Sequence, residues 1–184
     1  MKDSSVFMEK IKIRPAVSPD IELLLKIEHC VKTNCVWQLS QHIDEENRSV
    51  NFTESHLPRE MRLTYPYSPE MLPERWKNYS ELLVACNDNT PIGYISLISY
   101  FIPNLLWIKD LVVDELYRRK GIGTALMQSG IEWKSARGIS RMMMEMSSKN
   151  YPAICFARKM GFEFSGFNDF YYSNHDIALF FSKQ

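Results

Sequence analysis

The chain has 184 residues, with 22 lysine plus arginine against 22 aspartate plus glutamate, 45% hydrophobic and 12% aromatic residues. That length suits a single domain over residues 1–184 with one core, and those fractions exclude a mostly disordered chain. A net charge of zero lacks the basic surplus that phosphate-backbone binding needs, so neither nucleic acid nor an anionic membrane is an expected partner.

The first twenty residues carry charges throughout and hold no apolar run of signal-peptide type, which makes a cytoplasmic location the expectation. Asn89–Ile108 is uncharged and of membrane-span length, but Pro91, Gly93 and Pro103-Asn104 interrupt it. Two strands joined by a turn explain it better. The cysteines (Cys30, Cys35, Cys86, Cys155) include no CxxC pair, and free thiols are expected. His29, Cys30 and Cys35 are poorly spaced for zinc, and no metal site is assigned.

In chain order, Lys10–Arg14 alternates at period two and reads as a strand ended by Pro15. Ser18 reads as an N-cap with Pro19 at the first helical position, and Ile21, Leu24, Leu25, Ile27 and Val31 follow at helical spacing. From Cys35 to Trp76 the pattern weakens. Ser49–Ser55 suits a short strand, and Pro58, Pro66, Pro69 and Pro73 stiffen an aromatic stretch. That stretch is either a cover over a pocket or an ordered surface excursion.

Glu81–Cys86, Ile92–Ile102 and Leu105–Val113 form an antiparallel meander with turns at Asp88–Pro91 and Pro103-Asn104. A helix begins near Gly121 with Ile122, Ala125, Leu126, Ser129, Trp133 and Ala136 on one face. Ser140–Met146 is a strand. A second helix starts at Pro152, turns Ala153, Phe156, Ala157 and Met160 inward, and stops at Gly161 as a left-handed cap. Phe162–Phe167 and Ile177–Phe181 close the chain. The order β-α-β-β-β-α-β-α-β-β belongs to an α+β or mixed α/β sandwich.

Chemistry concentrates at Arg118-Arg119-Lys120-Gly121-Ile122-Gly123-Thr124, between a buried strand and an amphipathic helix. Glycines there allow a tight turn and close approach of a ligand, and the helix start offers unpaired N–H groups. This reads as a pyrophosphate site, against the plainer alternative of a glycine-rich connection with solvated cations. Neither GxxxxGK[ST] nor GxGxxG is present.

Arg118-x-x-Gly121-x-Gly123 resembles the Q/R-x-x-G-x-G/A motif of the GNAT superfamily of N-acetyltransferases. Trp107–Val113 is similar to that family's fourth strand, and Asn150-x-x-Ala153…Lys159-x-Gly161-Phe162 to its later N-x-x-A…K-x-G-F helix. The three motifs span about residues 80–167. The stretch through Asn174 and Ile177–Phe181 also resembles antibiotic acetyltransferases of the streptothricin type. The resemblance implies a GNAT-type α/β (α+β) fold: a mixed, mostly antiparallel sheet of six to seven strands flanked by helices, split after the fourth strand at a β-bulge. It implies acetyl-CoA as co-substrate, held by backbone groups of Leu111, Val112 and Val113 along the pantetheine. Arg118, Arg119, Lys120, Gly121, Ile122, Gly123 and Thr124 would take the pyrophosphate, and Asn150, Ala153, Phe156 and Lys159 the rest of the cofactor. The Val113 N–H would sit at the thioester oxygen.

One position departs from that pattern. Where much of the family has a tyrosine that protonates the departing thiolate, this chain has Ala157. A thiol with an ordinary pKa near ~8.5 leaves close to neutral pH without much help. Tyr172, or its neighbour Tyr171, is the candidate substitute acid, with strand packing the alternative. Glu145, a lone carboxylate among Met142, Met143, Met144 and Met146, is the candidate base, and Asp110 joins it as a candidate for binding a cationic amine. The alternative for both is a capping or ion-pair role. Asp169 and Asp176 either extend an acidic lining or face solvent. The expected enzyme acetylates a small basic amine by direct transfer, with residues 35–76 on the acceptor side. A protein N-terminus or lysine, and a non-catalytic acyl-CoA sensor, are the rivals. A homodimer through the C-terminal strands is expected only by fold analogy.

Overall fold

The computed structural model describes residues 10–184. Strand β1 (Ile11–Pro15) is followed by helix α1 (Ser18–Leu24), a long hairpin of β2 (Val31–Ile43) and β3 (Arg48–Leu63), and the short helix α2 (Leu72–Arg75). Then come β4 (Glu81–Asn87), β5 (Thr90–Ile98), β6 (Leu105–Val113), α3 (Ile122–Ser135), β7 (Arg141–Ser147), α4 (Tyr151–Lys159), β8 (Glu163–Asn168) and β9 (Ala178–Lys183). Seven strands form one sheet in the order β1-β4-β5-β6-β7-β9-β8, and β2-β3 form a second sheet of two. The main sheet is mixed: its β6–β7 pair is parallel, whereas β1–β4, β4–β5 and β5–β6 are antiparallel. The expected mixed, mostly antiparallel sheet is present at seven strands.

The chain divides into two compact units. The first takes residues up to His29, Tyr67–Met144 and Ser182–Gln184. Its core holds Leu24, Leu82, Ile95, Leu97, Leu106, Ile122, Leu126 and Met127, all buried. Asp88 and Asn89, at φ 47° and 71°, form the two-residue turn with both central residues left-handed that suits a twisted hairpin. The opening helix is capped differently from expectation. Val17 is the N-cap, and its N–H donates to Asp20 Oδ2 at 2.8 Å, while Arg14 grips the same carboxylate at 2.6 and 2.9 Å. The helix ends at Leu24, and Val31, expected on its face, opens β2. Residues Ser99–Ile102 lie outside β5, because Ser80 Oγ takes the Ser99 N–H at 2.9 Å and leaves Tyr100, Phe101 and Ile102 exposed. In α3 the buried residues are Ile122, Leu126, Met127 and Gly130, so the packed face is rotated away from Ala136, which is exposed.

The second unit takes Cys30–Pro66 and Glu145–Phe181. Here the expected short strand at 49–55 is one part of a 16-residue strand paired with a 13-residue partner. The Asp44 carboxylate caps its loop by accepting the N–H groups of Glu46 and Asn47 at 3.1 and 2.7 Å. Pro58 is tolerated within β3 because the register shifts between Thr33 and Cys35, placing it where the ladder is already interrupted. The Trp37 N–H donates to Ser148 C=O at 2.8 Å. An aromatic cluster joins the hairpin to β8 and β9: Trp37 meets Phe52, Phe164 and the buried Phe181, and Phe52 also meets Phe167, with ring centroids 5.3 to 6.1 Å apart. Such pairs contribute about 0.5–1.5 kcal/mol each beyond their burial. In α4 it is Ile154 and Ala157 that are fully buried.

Candidate functional site

The first unit carries a strand edge of unusual form. β6 pairs with β7 only from Leu105↔Arg141 to Ile108↔Met144. Beyond Ile108 comes the bulge: Ser96 faces Asp110 and Leu97 faces Ile108, so Lys109 is the extra residue. From Asp110 onward β6 still pairs regularly with β5. The Asp114 N–H donates to Ile92 C=O at 2.9 Å, and an antiparallel ladder alternates bonded and non-bonded pairs. Leu111 and Val113 therefore turn their own N–H and C=O groups toward the edge away from β5, and Val112 turns inward. Gly93 is required here, because a Cβ on it would stand 2.8 Å from Val112 O.

The glycine-containing loop starts where β6 ends. Arg118 does not reach outward; its Nε donates to Val113 C=O at 2.8 Å and its guanidinium to Glu28 C=O at 2.6 Å. Its side chain is thus a clamp that fixes the loop against the strand. Arg119 and Gly121 are left-handed, at φ 64° and 90°, a conformation glycine adopts without the Cβ penalty. Gly121 is the N-cap of α3, and the N–H groups of Ile122, Gly123 and Thr124 are in the first turn, where a helix supplies them no acceptor. Arg119 and Lys120 are exposed, with the Lys120 ammonium 5.2 Å from the Tyr117 ring centre. This end of α3 attracts anions through its amides, its dipole and two cations.

Asp110 is not an open binding group. It is 2% exposed and accepts from Ser96 Oγ at 2.6 Å and Tyr79 Oη at 2.8 Å, with Arg75 Nη1 at 3.7 Å. Burial and the Asp110 charge push the Tyr79 hydroxyl above its ordinary range. Arg75 lies over the Tyr67 ring at 5.3 Å, and Lys109 both covers that ring and donates to its hydroxyl. His29 bridges Tyr94 Oη at 3.1 Å and Ile27 C=O at 2.6 Å, and burial lowers its pKa. Two of the Asp110 partners, Arg75 and Tyr79, come from residues 67–80, the stretch whose sequence carries only proline and aromatic signals.

In the second unit, Asn150 caps α4, its Oδ1 accepting the Ala153 N–H at 3.2 Å. Phe156 is half-buried and Lys159 exposed, while Ala157 is fully buried. On β7 the alternation buries Met142, Met144 and Met146, which accounts for the methionine run as core packing. Met143, Glu145 and Ser147 occupy the other, half-buried face. Glu145 Oε2 accepts from Tyr171 Oη at 2.9 Å. Tyr172 is 6% exposed and meets Tyr171 edge-on, and burial first, then the Glu145 charge, raise its hydroxyl pKa. Tyr171, therefore, is the tyrosine bonded to the carboxylate. Both lie in the turn before β9 rather than in a paired strand. Asp176 is buried and ion-paired with Lys149, so it extends no open acidic lining. Among the described residues, no helix is long and apolar enough to cross a membrane.

The acetyltransferase (GNAT) family model matches residues 29–162. The chain belongs to that family. Among curated proteins, it is 32% identical over 108 residues to streptothricin acetyltransferase of Streptomyces lavendulae, covering 56% of this chain and 57% of that protein. An N-alpha-acetyltransferase of Saccharolobus solfataricus is 30% identical over 136 residues, covering 66% of this chain and 81% of that protein. The chain thus spans a little over half the length of the streptothricin enzyme that it matches. Among solved structures, nourseothricin acetyltransferase superposes with a TM-score of 0.80 at 23% identity, over 94% of this chain and 97% of that one. A Bacillus anthracis protein solved in complex with acetyl coenzyme A gives a TM-score of 0.73 at 22% identity, over 95% and 97%.

Proposed function

We propose that this chain is an acetyl-CoA-dependent N-acetyltransferase that passes the acetyl group directly to a primary amine of a small basic molecule. The observation that carries the reading is the β6 edge: Leu111 and Val113 turn their backbone groups outward just past the Lys109 bulge, and β6 then runs into the Arg118–Thr124 loop. A pantetheine arm pairs with such an edge as an added strand does. The Val113 N–H is oriented to stabilise charge developing on a thioester oxygen. Lys120, Gly121, Ile122, Gly123 and Thr124 supply amides and Arg119 charge to a pyrophosphate, while Arg118 fixes the loop. In the second unit, Asn150, Ala153, Phe156 and Lys159 occupy the positions of the family's later cofactor motif.

Glu145 serves as base, receiving the amine proton directly or through one water, with Tyr171 holding the carboxylate. With Ala157 where the family's acid stands, coenzyme A leaves as a thiolate or takes its proton from Tyr172 or Tyr171. The streptothricin and nourseothricin acetyltransferases among its relatives support a small cationic acceptor, as do the half-open Glu145 face and the absence of a basic surplus.

A second reading has its own support. The similarity to N-alpha-acetyltransferases favours a peptide N-terminus as acceptor. Thiol release from acetyl-CoA, followed across streptothricin-type and aminoglycoside antibiotics, polyamines, amino acids and short peptides, separates the two. Release with one small-amine class supports the proposal, and release with peptides alone replaces it. Silence across the panel, with acetyl-CoA still raising Tm, indicates a sensor that kept the fold and lost turnover.

A further inference from the structure

The β2–β3 hairpin gathers metal-type donors that sequence spacing conceals. Cys35 and His56 are register partners, and Glu54, two residues before His56, falls on the same face of β3. The Cys35 sulfur, one Glu54 carboxylate oxygen and one His56 ring nitrogen all lie within 4.8 Å of one another. Cys35 is 1% exposed, while Glu54 and His56 are exposed. The Thr33 hydroxyl pins the buried donor by giving a hydrogen bond to Cys35 C=O at 2.6 Å and accepting its N–H at 3.3 Å. Tyr151 Oη donates to Glu54 Oε1 at 2.6 Å, which holds the carboxylate and leaves Oε2 for another partner.

We propose that Cys35, Glu54 and His56 bind a zinc-class divalent cation, with water as the fourth ligand. A set of sulfur, imidazole nitrogen and carboxylate oxygen suits zinc, and the sulfur and nitrogen exclude magnesium and calcium as preferred ions. Bonds of roughly 2.0–2.3 Å in a tetrahedron separate neighbouring donors by roughly 3.3–3.8 Å. Closing from 4.8 Å requires an inward movement of about 1 Å, within reach of the exposed Glu54 and His56 side chains. Binding displaces the Cys35 thiol proton to solvent. Tyr151 then plays the supporting role common around metal sites, orienting a ligating carboxylate through a hydrogen bond. The ion ties the two strands of the hairpin together, independently of acetyl transfer.

The test is titration of the reduced, chelator-stripped full chain with Co2+ followed by displacement with Zn2+. Expected are one equivalent of Co2+, a thiolate-to-metal charge-transfer band with tetrahedral d–d absorption, bleaching by Zn2+, and a higher Tm with Zn2+. Cys35→Ser removes the charge-transfer band, and His56→Ala or Glu54→Gln weakens binding at least tenfold. Substoichiometric binding, or binding indifferent to His56→Ala and Glu54→Gln, overturns the site. Those two residues are exposed, so the test stands even if Cys35→Ser misfolds.

Discussion

Asp110 on β6 and Glu145 on β7 are two carboxylates in otherwise apolar strands, and their surroundings suit them to different roles. Asp110 is enclosed in the first unit by Ser96, Tyr79 and Arg75, so its charge is already answered by the protein. Glu145 sits on the half-open face of its strand in the second unit, with Tyr171 bonded to one oxygen. A buried carboxylate with a full set of donors is a strut, whereas the proposed base lies on a half-buried strand face. Residue type and strand position alone do not separate these duties; the donors contributed by other segments do.

The sharpest way to break this contrast is Asp110→Ala. It leaves Arg75 and Tyr79 facing an emptied pocket, and the expected loss is about 3–5 kcal/mol in urea unfolding. Glu145→Gln is expected to leave the unfolding midpoint nearly unchanged and to lower kcat by about 10²-fold or more. Tyr171→Phe should show a smaller share of the same effect. If Asp110→Ala instead kept full stability and lost activity, the two assignments would have to be exchanged. Gly93→Ala pushes a methyl against Val112 O, and about 1–3 kcal/mol of destabilisation with weaker acetyl-CoA binding by calorimetry is expected.

The smallest effect is a slope with pH. Burial holds His29 below its ordinary range, so the folded chain resists a proton that the unfolded chain accepts near pH ~6.5. Stability is fully present above that pH and declines as pH falls through it toward the folded pKa, by at most about 1.4 kcal/mol per unit. Unfolding midpoints at neutral and mildly acid pH, for wild type and His29→Gln, should differ in slope.

Local signals placed much of this molecule. The Leu105–Val113 strand, the Asp88-Asn89 turn and the left-handed Gly161 are all present where expected. Each depends on residues within a few positions of itself. The β2–β3 hairpin was mostly illegible because Pro58 breaks its pattern and its stability comes from Phe164, Phe167 and Phe181, more than a hundred residues further on. For the same reason the partners of Asp110 went unread. Tyr79 and Arg75 lie in a proline-rich stretch whose meaning appears only when it is packed against β6. The packed face of α3 was rotated because Gly130, unremarkable in a hydrophobic pattern, is a contact point with Ile95.

The second unit is assembled from two stretches of chain separated by most of the first unit. During synthesis the hairpin, with Trp37 and Phe52, emerges first, and Phe181 follows 115 residues after Pro66. At about 5–20 residues per second, the ribosome takes roughly 6–23 seconds to deliver the missing rings. Through that interval the nascent hairpin holds an unsheathed aromatic surface on a paired β ribbon. Two chains on one message can meet there before either is finished, which makes the elongation rate downstream of Pro66 part of what determines the yield of folded protein.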